Sequence, residues 1–286
     1  LSQSDMPNTN DTLRISYGAT TIGVPVVDTN YFWDYSQLTS TAQYLLNFEP
    51  PSNTSYFGLN TSFISSYAVY NWSPDSIPFI PILPNNFYDF YKKSSSSYKQ
   101  VGQGYSLFGF PIPVFYNPSD PIYKFPGNLG DQDTSDAQFV SQIPNLFYWR
   151  EDIHRVNHYA GWGTLITPYD TFPTTLQIRT ELTKVDSISL DTLGISIPSF
   201  TRNSVQYQWF APGSKIPVLN ITTSVVGANE TVTQIVYRDS IKPVIQIGIK
   251  ESELLGEFTM YPNPSTDNFN LSIESKVNQS ARFAIY

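Results

Sequence analysis

The chain has 286 residues, no cysteine and 16 Lys+Arg against 24 Asp+Glu, a formal net charge of −8; 14% is charged, 15% aromatic, and Pro (22) outnumbers Gly (15). That balance opposes a nucleic-acid partner, which needs a basic stripe, and absent cysteine excludes disulfides, thiolate metal sites and thiol nucleophiles. No apolar run reaches the roughly 20 residues of a membrane-spanning helix, and the longest candidate, 108–116, is broken by Pro111 and Pro113.

The chain opens Leu1-Ser2-Gln3-Ser4-Asp5, with neither an initiator Met nor an apolar leader, as a mature secreted protein would. Residues 30–35 are aromatic and strand-like, whereas 36–48 space Leu38, Ala42, Leu45 and Leu46 as a short helix would. Residues 60–71 and 86–92 fit either helix or strand, and Ser94-Ser95-Ser96-Ser97 reads as a loop. Five prolines from Pro111 to Pro126 predict edge strands and turns rather than a central strand, because Pro cannot donate to a ladder. Residues 175–180 alternate with the period of a half-buried strand. Residues 217–226 and 231–238 predict a hairpin around the four-residue loop Gly227-Ala228-Asn229-Glu230. Residues 244–250 alternate again, with Ile245, Ile247 and Ile249 on one face. The expected fold is mainly β: a curved antiparallel sheet or β-sandwich with a few short helices, spanning residues 1–250.

Chemistry is harder to find. His154 and His158 flank Arg155, Val156 and Asn157 behind Glu151-Asp152. On a helix this spacing would put both imidazoles on one zinc-binding face; on a strand they sit about 13 Å apart. The strand-like residues that follow favour a solvated polar strand. Gly104-Tyr105-Ser106-Leu107-Phe108-Gly109 misses the nucleophile elbow by one residue, Gly102-Gln103-Gly104 is equally poor as a phosphate loop, and Gly102, Gly104 and Gly109 read more simply as turn glycines. The acidic run Asp131, Asp133 and Asp136 lacks the spacing of a calcium loop. Neither a metal nor a cofactor is expected. Sequons of the Asn-x-Ser/Thr type at Asn53, Asn220 and Asn229 carry little weight in so Asn/Ser/Thr-rich a chain.

Composition shifts at 251–257, an acidic linker. Beyond it, Tyr261-Pro262-Asn263-Pro264 must be extended or turned, and Phe269, Leu271 and Ile273 alternate as a strand, with Phe283 and Ile285 beginning another. Linker, Tyr-Pro-Asn-Pro and alternating strand in this order resemble the start of the type A C-terminal sorting domain of Bacteroidota type IX secretion cargo. The match covers residues 258–286, about a tenth of the chain, and stops at Ile285-Tyr286, before the family's later Gly-containing turns and basic end; on this resemblance the tail is truncated. The opening 3–15, Trp33 to Leu38, Gly161 to Tyr169 with Phe172, and Tyr207 to Gly213 resemble uncharacterised secreted proteins of the same group. Such bacteria O-glycosylate Asp-Ser/Thr followed by an aliphatic residue, which marks Thr12, Ser76, Ser187, Thr192 and Ser240 as acceptors.

The resemblance implies passage through the periplasm to the cell surface or medium, with the type IX machinery as partner. The N-terminal domain is expected to be a non-enzymatic binding or structural module, perceiving a glycan or cell-surface polymer through its surplus aromatics. The alternative is a secreted hydrolase of polysaccharide or peptide, which would need a concave carboxylate pair or His154 with a charged partner. An assembly subunit, suggested by the proline-rich edges, is a third expectation.

Overall fold

A computed structural model describes residues 1–56, 63, 66–72, 74, 84–190, 194–240, 255–261 and 270–275. The chain divides into two units, Leu1–Ser240 and Ile241–Tyr286.

The first unit is one large, mainly antiparallel sheet, thirteen-stranded among the described residues. Its strands are β1 (Thr12–Gly18), β2 (Thr29–Asp34), β3 (Ser40–Asn47), β4 (Tyr67–Tyr70), β5 (Asn85–Lys93), β6 (Ser97–Leu107), β7 (Phe110–Lys124), β8 (Gln132–Ile143), β9 (Phe147–Ile166), β10 (Thr171–Leu190), β11 (Ile195–Phe210), β12 (Leu219–Val226) and β13 (Asn229–Arg238). From β4 to β13 each strand lies beside its sequence neighbour; β1 then pairs with β13, and β3 with β1. Among the described residues only β2 pairs parallel, against β9. The two edges, β3 and β4, come back together through the bridge Glu49↔Ala68 and a hydrogen bond from Trp72 Nε1 to the Leu45 carbonyl (3.1 Å). The sheet therefore curls into a nearly closed barrel, the arrangement that leaves fewest backbone groups unpaired at an edge.

Alternation explains the wall. Along β9, Phe147, Trp149, Glu151, Ile153, Arg155, Asn157 and Tyr159 are buried, while Arg150, Asp152, His154 and His158 face outward and are more exposed. With Arg179 and Glu181 beside them on β10, these charges make that wall water-facing rather than lipid-facing. Among the described residues no helix is long and apolar enough to cross a membrane. Inside the barrel, one end is filled by Tyr105, Phe139, Phe147, Trp149 and Leu190, the other by Tyr98, Tyr123, Tyr159, Ile178 and Phe210. A third apolar cluster, with Trp33, Leu165, Trp209, Leu219 and Ile235, lies on the opposite face of the sheet, under residues 22–38. A bulge makes this possible: Tyr159 pairs with Ile178 but Gly161 with Gln177, so Ala160 is skipped and the buried odd positions change faces. At Gly163 a Cβ would lie 1.9 Å from the Tyr31 carbonyl oxygen of the parallel neighbour β2, so only glycine fits.

Several expectations change. Residues 36–48 are not helical; 40–47 form β3, because pairing with β1 supplies a ladder that local spacing cannot foresee. Among the described residues helical structure is limited to 3₁₀ turns, at Gln3–Asp5, Pro51–Asn53 and Phe63. Gly102 and Gly104 are not turn residues but lie in β6, where a Cβ would meet the Val114 carbonyl oxygen at 2.3 Å and the Tyr56 ring at 2.8 Å, respectively. The turn is Phe108-Gly109, both at positive φ. β7 is an interior strand despite its prolines; its ladder with β8 shrinks to Tyr116↔Phe139, as expected where donors are missing. The β12–β13 turn is two residues, since Asn229 and Glu230 pair with Val226 and Val225, with Gly227 at φ +62. Ser94–Ser97 does connect β5 and β6, closed by Ser94 N–H to the Ser97 carbonyl (2.9 Å).

In the second unit, β14 (Leu255–Tyr261) and β15 (Asn270–Ser275) pair antiparallel, with Met260 opposite Leu271 and Phe258 opposite Ile273. Leu255 to Glu257, expected as the end of the linker, begin β14. The expected strands at 244–250 and from Phe283 lie outside the described residues.

Candidate functional site

Inward-facing polar residues meet at the waist of the barrel, between its two apolar ends. They border a cavity of about 410 Å³, within the usual size of a small-ligand site. β9 contributes Glu151 and Arg155 because both have odd numbers in an alternating strand whose odd face points inward. Arg155 donates from Nε and Nη2 to the two carboxylate oxygens of Asp120 on β7, at 3.1 and 2.7 Å, and both side chains are almost wholly buried. Burial opposes the guanidinium charge, yet the Asp120 carboxylate outweighs it and raises the Arg155 pKa. Glu151, 2% exposed, lies 3.3 Å from Lys184 Nζ and accepts from Arg202 Nη2 at 2.7 Å. Arg202 Nε also donates to Asp186, which takes a second hydrogen bond from Trp149 Nε1 at 3.0 Å.

Across the cavity, Asp89 on β5 accepts from Asn71 Nδ2 (2.9 Å) and Gln100 Nε2 (3.0 Å). Tyr91, Tyr98 and Tyr123 stack face to face beside it, from β5 through β6 to β7. Burial pushes all three phenols, and Tyr116, above their ordinary range, so they remain neutral hydrogen-bonding groups at physiological pH. The third wall is amide: Gln206 and Gln208 on β11, Asn220 on β12 and Gln234 on β13. Here polar atoms stand without protein partners. Gln208 Oε1, Asn220 Oδ1 and Gln103 Nε2 are buried and unsatisfied, a state that native interiors seldom tolerate without reason.

The histidines lie elsewhere. His154 Nδ1 is 2.7 Å from Asp136 Oδ1, with the two side chains 52% and 76% exposed, over a shallow groove on the outer wall. Asp136, His154, Thr183 and Asn203 form a polar row across β8 to β11, the Thr183 hydroxyl donating to Asn203 Oδ1 at 3.0 Å. Solvated strand residues were expected here, and that is what the two histidines are. Their neighbours Glu151 and Arg155 are the opposite, fully sheltered in the lumen. Asp133 and Asp136 take opposite faces of β8: Asp133 accepts from Asn157 Nδ2 (3.2 Å) and Tyr159 Oη (3.1 Å) inside. Among the described residues no three His, Asp or Glu side chains converge on one point.

Of the expected acceptors, Thr12 is exposed at the start of β1 and donates to Asn47 Oδ1 (3.1 Å), and Ser240 is exposed after β13. Ser187 is half-buried beside the fully buried Asp186, while Ser76 and Thr192 lie outside the described residues. Tyr261 ends β14 opposite Asn270; Pro262, Asn263 and Pro264 lie outside the described residues. The lumen residues Gln103, Asp120, Arg155, Gln208 and Asn220 escaped sequence reasoning. The signal was there in 151–158, where both faces of an alternating strand are polar, which neither a sandwich core nor a solvent face explains.

Fold and site together define a class: a mainly antiparallel, nearly closed sheet around a polar lumen. Compared with known proteins, the chain matches no family model, no curated protein and no solved structure.

Proposed function

We propose that the protein is a secreted or cell-surface binding module without enzymatic activity, and that the barrel lumen is its binding site. The observation that carries this reading is the lumen itself, a half-open cavity whose amide wall holds buried hydrogen-bonding atoms without protein partners. Hydrolysis is less well supported. Of the carboxylates bordering the cavity, Asp120 and Glu151 are each engaged by a guanidinium and Asp89 by two side-chain amides, and the His154–Asp136 pair stands half exposed on an outer wall. Export by type IX secretion, through periplasm to cell surface, rests on the sorting-domain resemblance around Tyr261-Pro262-Asn263-Pro264. O-glycosylation at the exposed Thr12 and Ser240 would follow in the same compartment.

In the full-length gene product, expressed in a type IX-competent bacterium, deleting everything from residue 251 onward traps the protein in the periplasm. Unchanged surface export of the deleted form overturns the export reading. Glycan mass at Thr12 or Ser240 in the exported protein supports the modification, and unmodified peptides at both positions exclude it.

A further inference from the structure

We propose that the lumen binds a neutral, hydroxyl-rich ligand the size of one or two sugar rings, an inference that rests on reading the barrel as a binding module. Gln208 and Asn220 are register partners on adjacent strands, so their side chains stand together on the lumen wall. Gln208 is 7% exposed and hydrogen-bonds the Tyr123 hydroxyl, yet its Oε1 has no protein partner, and neither has Asn220 Oδ1. On the wall contributed by β6, Gln103 accepts from Tyr116 Oη at 3.5 Å while its Nε2 has nothing to donate to.

The complement of this wall is a molecule offering donors to two amide oxygens and an acceptor to one amide nitrogen. A hydroxyl is both donor and acceptor, and it satisfies an amide in either orientation. Ligand charge follows from the ion pairs. Asp120 engages Arg155 and Glu151 engages Lys184, so a carboxylate or phosphate would have to compete with a carboxylate already in place. A cavity of about 410 Å³ sets the size. Apolar ligands are disfavoured too, since they would leave all three amide atoms buried and unpaired.

Calorimetric titration of the purified full chain with glucose, galactose, xylose, maltose and cellobiose, alongside glucuronate, inorganic phosphate and decanoate, tests this. At least one neutral sugar binds, and binding weakens about tenfold in Asn220→Leu and in Gln103→Leu, the loss of one buried hydrogen bond each. Without sugar, Asn220→Leu melts at the parental temperature or above it, because it removes a buried unpartnered atom, whereas Gln103→Leu also takes the acceptor from the buried Tyr116 hydroxyl and melts somewhat lower; a purely structural role for Asn220 would lower its melting temperature too. Two variants from different walls keep the test informative should one misfold. If no neutral sugar binds, or if binding ignores both substitutions, the ligand class is wrong. Glucuronate, phosphate or decanoate binding that both variants abolish would overturn the neutral ligand and keep the lumen as a binding site. No binding by any probe, with ordered water bridging Gln208, Asn220 and Gln103 in a crystal, would overturn both readings.

Discussion

Glu151 and Asp152 are adjacent in sequence and opposite in physics. Asp152 faces water, where Arg150 holds its carboxyl below the ordinary range through two hydrogen bonds of 2.9 Å; at this exposure such a pair adds little to stability. Glu151 is sealed inside, against Lys184 and Arg202. The period of a strand assigns them to opposite faces, but which face is the interior depends on how the whole sheet curls. A purely local reading therefore placed the segment correctly as a strand and missed its buried half. The same geometry makes the Arg155–Asp120 pair sensitive. Asp120→Ala leaves a guanidinium buried without its partner, and a loss of about 3–5 kcal/mol is expected in urea unfolding. The double replacement Asp120→Leu with Arg155→Met removes both charges and should recover most of that loss. Equal instability in the single and double variants would mean that packing, not the uncompensated charge, sets the cost.

At the scale of elements, what the sequence made legible was alternation: 175–180 and 231–238 are strands, as is 217–226 from Leu219 onward. What failed were the segments whose conformation is set by a distant partner. β3 is a strand because β1, some thirty residues earlier, offers it a ladder, and β7 tolerates its prolines because β6 pairs well on its other side. Among the described residues the closure between β3 and β4 is the thinnest seam, held by one bridge, the Trp72–Leu45 hydrogen bond, the stack of Trp72 on Tyr44 at 4.6 Å and the edge contact of Phe48 with Tyr67. Trp72→Ala should cost only about 1 kcal/mol, since the indole is 44% exposed, yet hydrogen exchange in β3 and β4 should accelerate well beyond that in β9 and β10. Uniform acceleration through the sheet would show that the barrel opens only globally. Conversely, Gly104→Ala, which drives a methyl into the Tyr56 ring, is expected to lower stability by about 1–3 kcal/mol although it is a favourable change in most exposed strands.

The molecule as a whole explains the aromatic surplus noted in its composition. Among the described residues much of it is interior: tyrosines fill the barrel ends and waist, because a phenol is both apolar filler and hydrogen-bonding group, while Phe32, Trp72, Phe108, Phe110, Trp162 and Tyr169 stay exposed. How many can be sheltered is not readable from local patterns, because a closed sheet's interior volume depends on distant strand pairings. This arrangement makes the fold a proton-linked device at alkaline pH. Burial raises Tyr35 and Tyr105 to about 12, and pushes Tyr67, Tyr91, Tyr98, Tyr116, Tyr123 and Tyr159 above their ordinary range as well. Below about pH 10 these groups are protonated in both folded and unfolded chains and give stability no slope. From about pH 10 towards 12 the unfolded chain has lost those protons while the folded one keeps them, so stability falls as pH rises. Tyrosinate absorbance should therefore rise in two stages: exposed phenols first and reversibly, then the buried group together, in one step coincident with loss of the β-sheet circular dichroism signal. If all tyrosines ionised gradually near pH 10 with the sheet signal intact, water would reach the lumen freely, and the buried waist that supports the binding site would not exist.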